Sequence, residues 1–112
     1  MDKLLEKLSE YGADIDCVNS RFLGDIDLYK SCFDTFLSDE NFLQLGEAIK
    51  ACDYERACDC AHTLKGIAGN MGITPLYQDV CIIVENLRKN NYYDLNERYS
   101  KILEHLSKLN KF

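Results

Sequence analysis

Ala57, Ala61, Leu64, Ala68 and Met71 follow one another at steps of three and four residues. At about 100° per residue they fall within roughly 40° of one direction. A strand turns successive side chains to opposite faces and cannot gather these five, whereas an α-helix can. Residues 53 to about 71 are therefore predicted to form a helix with one hidden face, starting at Asp53 as N-cap and closed by Gly72 in the left-handed conformation.

The same period runs through the rest of the chain. Leu4, Leu5 and Leu8 predict a short helix over residues 2–10 before Gly12. Residues 11–24, with Asp14, Asp16, Asn19 and Gly24, are read as an ordered connection from which Val18, Phe22 and Leu23 dock inward. Asp25 caps a helix with a stripe of Leu28, Cys32, Phe36 and Leu37, flanked by Tyr29 and Phe33. A restart at Ser38 or Asp39 carries Phe42, Leu45, Ile49 and Cys52. Thr74 and Pro75 read as N-cap and first-turn proline of a helix burying Leu76, Val80, Ile83 and Leu87, widened by Cys81, Ile82 and Val84. A last helix over about 92–110 aligns Leu95, Tyr99, Ile102, Leu106 and Leu109.

No strand-period alternation and no internal repeat is present, and Pro75 is the single proline. Short connections make successive helices antiparallel neighbours. The expected fold is all-α: an antiparallel up-and-down four-helix bundle with a short N-terminal helix and connecting segment. At 112 residues the chain has room for one core. A single domain over 1–112 is expected, with 1–24 as N-terminal additions and about 25–110 as the helical bundle.

Charge narrows the partners. The net charge is −6, and residues 1–53 hold 12 acidic against 5 basic residues while 54–112 hold 7 against 8. No basic face emerges to neutralise phosphodiester backbone, so nucleic acid is excluded as a partner. The N-terminal Met1-Asp2-Lys3-Leu4-Leu5-Glu6 lacks the apolar core of a signal peptide, and no apolar run reaches membrane-spanning length. The protein is expected to be cytoplasmic, free of membranes and monomeric, with Met1 favouring a stand-alone product. The six cysteines, Cys17, Cys32, Cys52, Cys58, Cys60 and Cys81, are expected as reduced thiols, several of them buried.

On the helix that opens this section, His62 points about 140° away from the buried stripe, toward solvent. Gly66 and Gly69 each cost roughly 0.5–1 kcal/mol of helix propensity against alanine, so helix stability does not explain them. Helical side chains lean toward the N-terminus, and the residues that would cover His62 are Lys65 and Gly66. The first sets a cation beside the imidazole and the second leaves it bare. Such a ring suits a nucleophile that accepts and releases an anionic phosphoryl group. Asp59, three residues earlier, is placed to accept a hydrogen bond from Nδ1 and leave Nε2 as the nucleophile.

His62-Thr63-Leu64-Lys65-Gly66 followed by Gly69-Asn70-Met71-Gly72 resembles the signature of histidine-containing phosphotransfer (HPt) domains. The resemblance covers roughly residues 20–110. It implies a phosphocarrier without ATP-dependent kinase activity of its own, passing a phosphoryl group between receiver-domain aspartates through His62 in a two-component phosphorelay. It implies receiver domains of response regulators and a hybrid histidine kinase as partners, and no cofactor of its own, the Mg²⁺ being supplied by the receiver. Lys65 would offset phosphoryl charge, and Gly66 and Gly69 would give access to the histidine. Two positions depart from the family pattern: Ile67, where a small residue is common, and Val84, where a polar side chain often stands beside the histidine. The latter leaves any amide assistance, from Gln78 for example, unsupported.

Two other readings compete. A bundle could bind and inhibit a receiver or kinase without carrying phosphate. The chain could also be a metal-binding or redox helical bundle: Cys58, His62, Cys60 and Cys52 could hold a metal, although Cys60 faces roughly 160° from His62 around the helix. The Gly66, Gly69 and Gly72 spacing does not read as a nucleotide loop, because it follows a helical stripe instead of a strand. His105 lacks matching glycines and is expected as an edge or surface residue, and Gly72 is expected only to end its helix.

Overall fold

The computed structural model describes residues 2–112; Met1, the first residue of the N-terminal stretch considered above, lies outside them. The described residues form seven α-helices and no strand: α1 (Lys3–Tyr11), α2 (Ile15–Arg21), α3 (Ile26–Leu37), α4 (Glu40–Lys50), α5 (Tyr54–Asn70), α6 (Thr74–Arg88) and α7 (Leu95–Leu109). Five starts follow one rule. Asp2, Asp14, Asp25, Asp39 and Asp53 each accept a hydrogen bond from an amide of the following turn, at 2.8–3.2 Å. Each such cap is worth about 1 kcal/mol and satisfies an amide that the helix itself cannot.

The main packed pairs are α4 with α5, α5 with α6, α6 with α7, and α7 back against α4. These four helices enclose Leu45, Ala57, Ala61, Leu64, Leu76, Val80, Ile83 and Ile102, all without solvent exposure. Three alanines on the hidden face of α5 let its neighbours approach closely. Gly46 on α4 serves the same purpose opposite α7, because a Cβ there would lie 2.5 Å from the Tyr99 ring. That ring cannot easily yield, since its hydroxyl donates to the Phe42 carbonyl at 2.7 Å.

Several boundaries and faces differ from expectation, each for a local reason. Residues 11–24 are not only a connection: Asp14 is an N-cap, α2 buries Val18, and Leu23 does not dock inward but is 91% exposed in the turn after α2. The apolar spacing Ile15, Val18, Phe22 is helical but was masked by the turn-forming residues around it. In α3 the buried set is Tyr29, Phe33 and Phe36, while Leu28 is 50% exposed and Leu37 half-buried. Burial goes to the aromatic side, where Tyr29 donates to the Met71 carbonyl at 2.8 Å and packs edge-on against Phe22. Cys52 does not extend the α4 stripe; it is exposed, with φ of 54°, in the turn after Lys50. Ile73, not Thr74, occupies the N-cap position of α6, and no side chain caps that helix. α7 begins at Leu95 instead of 92.

His105 lies at the edge of the core, one of the two placements expected for it, but its ring is engaged. It is partly buried between α1 and α6, its Nδ1 hydrogen-bonded with the Tyr11 hydroxyl and its Nε2 with Asp79 Oδ2 at 2.6 Å. This chain of polar groups ties the N-terminal helix to the four packed helices.

Candidate functional site

α5 carries the site. Asp53 starts it, and Ala57, Ala61, Leu64 and Ala68 hold its inner face without exposure. The helix therefore cannot rotate without exposing that stripe. His62 is fixed on the opposite face, exposed, and among the described residues no hydrogen bond or ion pair engages its ring. Lys65 lies one turn on and is half-buried. A Cβ at Gly66 would meet nothing within 4 Å, so the space beside the imidazole is open to solvent.

Gly69 plays a different part from Gly66. A Cβ there would come within 3.3 Å of the Tyr77 ring, so its bareness admits a side chain from α6 to the surface of α5. Asp59 is exposed one turn before His62 and makes no hydrogen bond with the ring. Val84 is buried, and Gln78 is exposed away from the groove beside His62, so neither sets a polar group against the histidine.

That groove, about 500 Å³, runs from His62, Lys65 and Gly66 along α5 to the start of α6, where Thr74 and Tyr77 border it. The Cys81 side chain beside Tyr77 raises its phenol above the ordinary value, keeping it neutral. The second wall is α2, through Asp14, Cys17 and Arg21. Gly72 makes this possible. Its φ is +70°, and a Cβ would lie 2.9 Å from Val18 Cγ2 and 3.0 Å from the Asp14 carbonyl oxygen. Gly72 thus ends α5 and also seats α2, whose Asp14 amide donates to the Gly72 carbonyl at 2.8 Å. Arg21 was not singled out from sequence, because nothing in its spacing relates it to His62.

The alternative metal site does not assemble. Among the described residues no three or more His, Cys, Asp or Glu side chains are grouped to hold a metal ion. Cys60 is buried under α5 while His62 faces solvent, and burial raises the Cys60 thiol above its ordinary value. All six cysteines are free thiols. No helix is long and apolar enough among the described residues to cross a membrane.

No curated protein and no solved structure matches this chain. The family model described as "Hpt domain" does match, over residues 37–110, a segment that begins at the end of α3 and contains all of α4, α5, α6 and α7 with His62 and its neighbours. The match takes in well over half of the chain, and the chain belongs to the Hpt domain family.

Proposed function

We propose that this protein is a phosphorelay intermediate in which His62 accepts a phosphoryl group from the phosphoaspartate of one receiver domain and delivers it to the aspartate of another. The observation that carries this reading is the state of His62: exposed, without a hydrogen-bond or ion-pair partner among the described residues, and beside Lys65 and the open space at Gly66. A histidine held for structural reasons has its ring nitrogens engaged, as His105 does.

In the forward step a ring nitrogen attacks phosphorus in line, the P–N bond forms as the bond to the aspartyl oxygen breaks, and the carboxylate leaves with the electron pair. Negative charge on the equatorial oxygens is greatest in flight, and the Lys65 ammonium offsets it. Delivery runs through the same geometry in reverse. Gly66 clears the approach of the receiver loop, while Gly69 seats Tyr77 of α6 at the border of the groove. The magnesium ion belongs to the receiver, and with no nucleotide motif in the sequence the protein is a carrier and not a kinase.

The supporting scaffold in this reading is a single domain built on an antiparallel up-and-down bundle of α4 to α7, acting as a cytoplasmic monomer between a hybrid kinase and a response regulator. Asp59 contributes by turning its carboxylate to Nδ1 on docking, which leaves Nε2 to attack; Asp59→Asn then slows transfer, and an undiminished rate removes Asp59 from the mechanism.

The deciding experiment mixes the protein with magnesium-loaded, phosphorylated receiver and follows it by intact mass and peptide mapping. An acid-labile phosphate on the His62 peptide, absent in His62→Gln, is the expected result. Equal labelling of His62→Gln would place the acceptor elsewhere, and stable complex formation without any phosphate transfer would make the protein a binding module instead.

A further inference from the structure

The groove beside His62 is walled on one side by α2, which lies outside the family-matched residues 37–110, and α2 brings Arg21 to it. Arg21 is exposed yet held: Nη1 donates to Asn70 Oδ1 at 3.2 Å, and Nε donates to Cys17 Sγ at 3.2 Å. Neither holder is a carboxylate, and among the described residues Arg21 forms no ion pair. The guanidinium keeps its charge and has three of its five N–H donors left for a partner. It does so within a half of the chain that holds 12 acidic and 5 basic residues, so the cation is not a reflection of local composition.

Its anchor at Asn70 defines its role. Asn70 lies eight residues beyond His62, about 12 Å along the helix axis. A screened charge at that range, beyond the Debye length of about 8 Å at physiological salt, does little for a phosphoryl group on His62. Lys65, one turn from the imidazole, is placed for that task. Arg21 is placed to touch whatever covers the groove. A forked, always charged donor set fits a carboxylate on the docking face of the protein that delivers or takes the phosphate.

We infer that Arg21, presented by α2 at the far end of the His62 groove, is a specificity-determining residue that selects receivers carrying an acidic side chain at the matching edge. The inference rests on the phosphotransfer reading of His62. Asn70 is a positioning residue in it, orienting the guanidinium without touching the partner.

The test takes the fastest-reacting member of a panel of phosphorylated, magnesium-loaded receiver domains from the same organism and measures the second-order rate constant of transfer against salt concentration. Phosphorylation of His62 by phosphoramidate, a small donor that needs no docking face, is followed in parallel. Arg21→Gln is expected to lose about tenfold in receiver transfer at low salt and to converge with the wild type near 0.5 M salt. Its reaction with phosphoramidate should be unchanged. Arg21→Lys should keep most of the salt dependence, and so should Asn70→Ala, which frees the guanidinium but leaves its charge. A wild-type rate for Arg21→Gln at low salt, or a loss of equal size at every salt concentration, overturns the inference, as does the absence of transfer from every receiver when phosphoramidate labels His62. If neither donor labels His62, the phosphotransfer reading itself fails.

Discussion

The glycines of this chain divide into positions where a side chain would meet nothing and positions where it would collide. At Gly66 a Cβ has open space around it, while at Gly46 it would lie 2.5 Å from a tyrosine ring pinned by its own hydroxyl. Helix propensity favours alanine at both by about 0.5–1 kcal/mol. Gly66→Ala should therefore raise stability by about that amount, whereas Gly46→Ala should lower it by about 1–2 kcal/mol because overpacking outweighs propensity. Urea denaturation reads both, and stability changes of the same sign would contradict the distinction. Gly66→Gln should fold as well as the wild type and transfer phosphate more slowly, since its side chain fills the space before His62. Wild-type transfer with native partner affinity would show that the space is not used. His62, Lys65 and Gly66 were legible from sequence because all three sit on one helix, where angles follow from numbering. Arg21 and Tyr77 were not, because their nearness to His62 depends on how α2 and α6 pack.

Among the elements, α2 is seated on the end of α5 at Gly72. Gly72 adopts a positive φ and lets Val18 and the Asp14 carbonyl come within 3.0 Å of where a Cβ would be. An alanine must both accept the left-handed conformation, at about 1–2 kcal/mol, and push back a main-chain oxygen that cannot rotate away. Gly72→Ala is expected to cost about 2 kcal/mol or more and to loosen α2 selectively. Amide exchange at residues 15–21 should accelerate more than exchange in α4 or α7; uniform acceleration across the chain would mean that α2 is not held there. A glycine after a helical stripe already signalled the end of α5. That the same glycine seats a helix beginning 57 residues earlier in the chain, at Ile15, is visible only once the two are side by side.

For the molecule as a whole, the tyrosines set an alkaline limit. Burial raises the phenols of Tyr11 and Tyr29 far above their ordinary value near 10, with Asp79 adding to the effect at Tyr11 and Cys17 at Tyr29. Burial also raises Tyr99, and the nearby Glu47 adds to it. A phenol whose folded pKa is raised favours the native state while it is neutral in both states, so this contribution is complete below about pH 10. It is lost progressively as pH rises further, because the unfolded chain ionises first. The urea midpoint should stay level across pH 7–9 and fall steeply from about pH 10 to 11; a midpoint unchanged at pH 11 would contradict the burial of these phenols. The sequence by itself determined that the chain is helical, where most helices begin, and which residues share the exposed face of α5, because helical period and capping are local properties of consecutive residues. Tertiary structure alone decided which side of α3 is buried, that His105 is clamped between Tyr11 and Asp79, and that α2 forms a wall of the His62 groove. Those outcomes turn on contacts between residues far apart in the chain, where the free energy of packing, and not local preference, selects the arrangement.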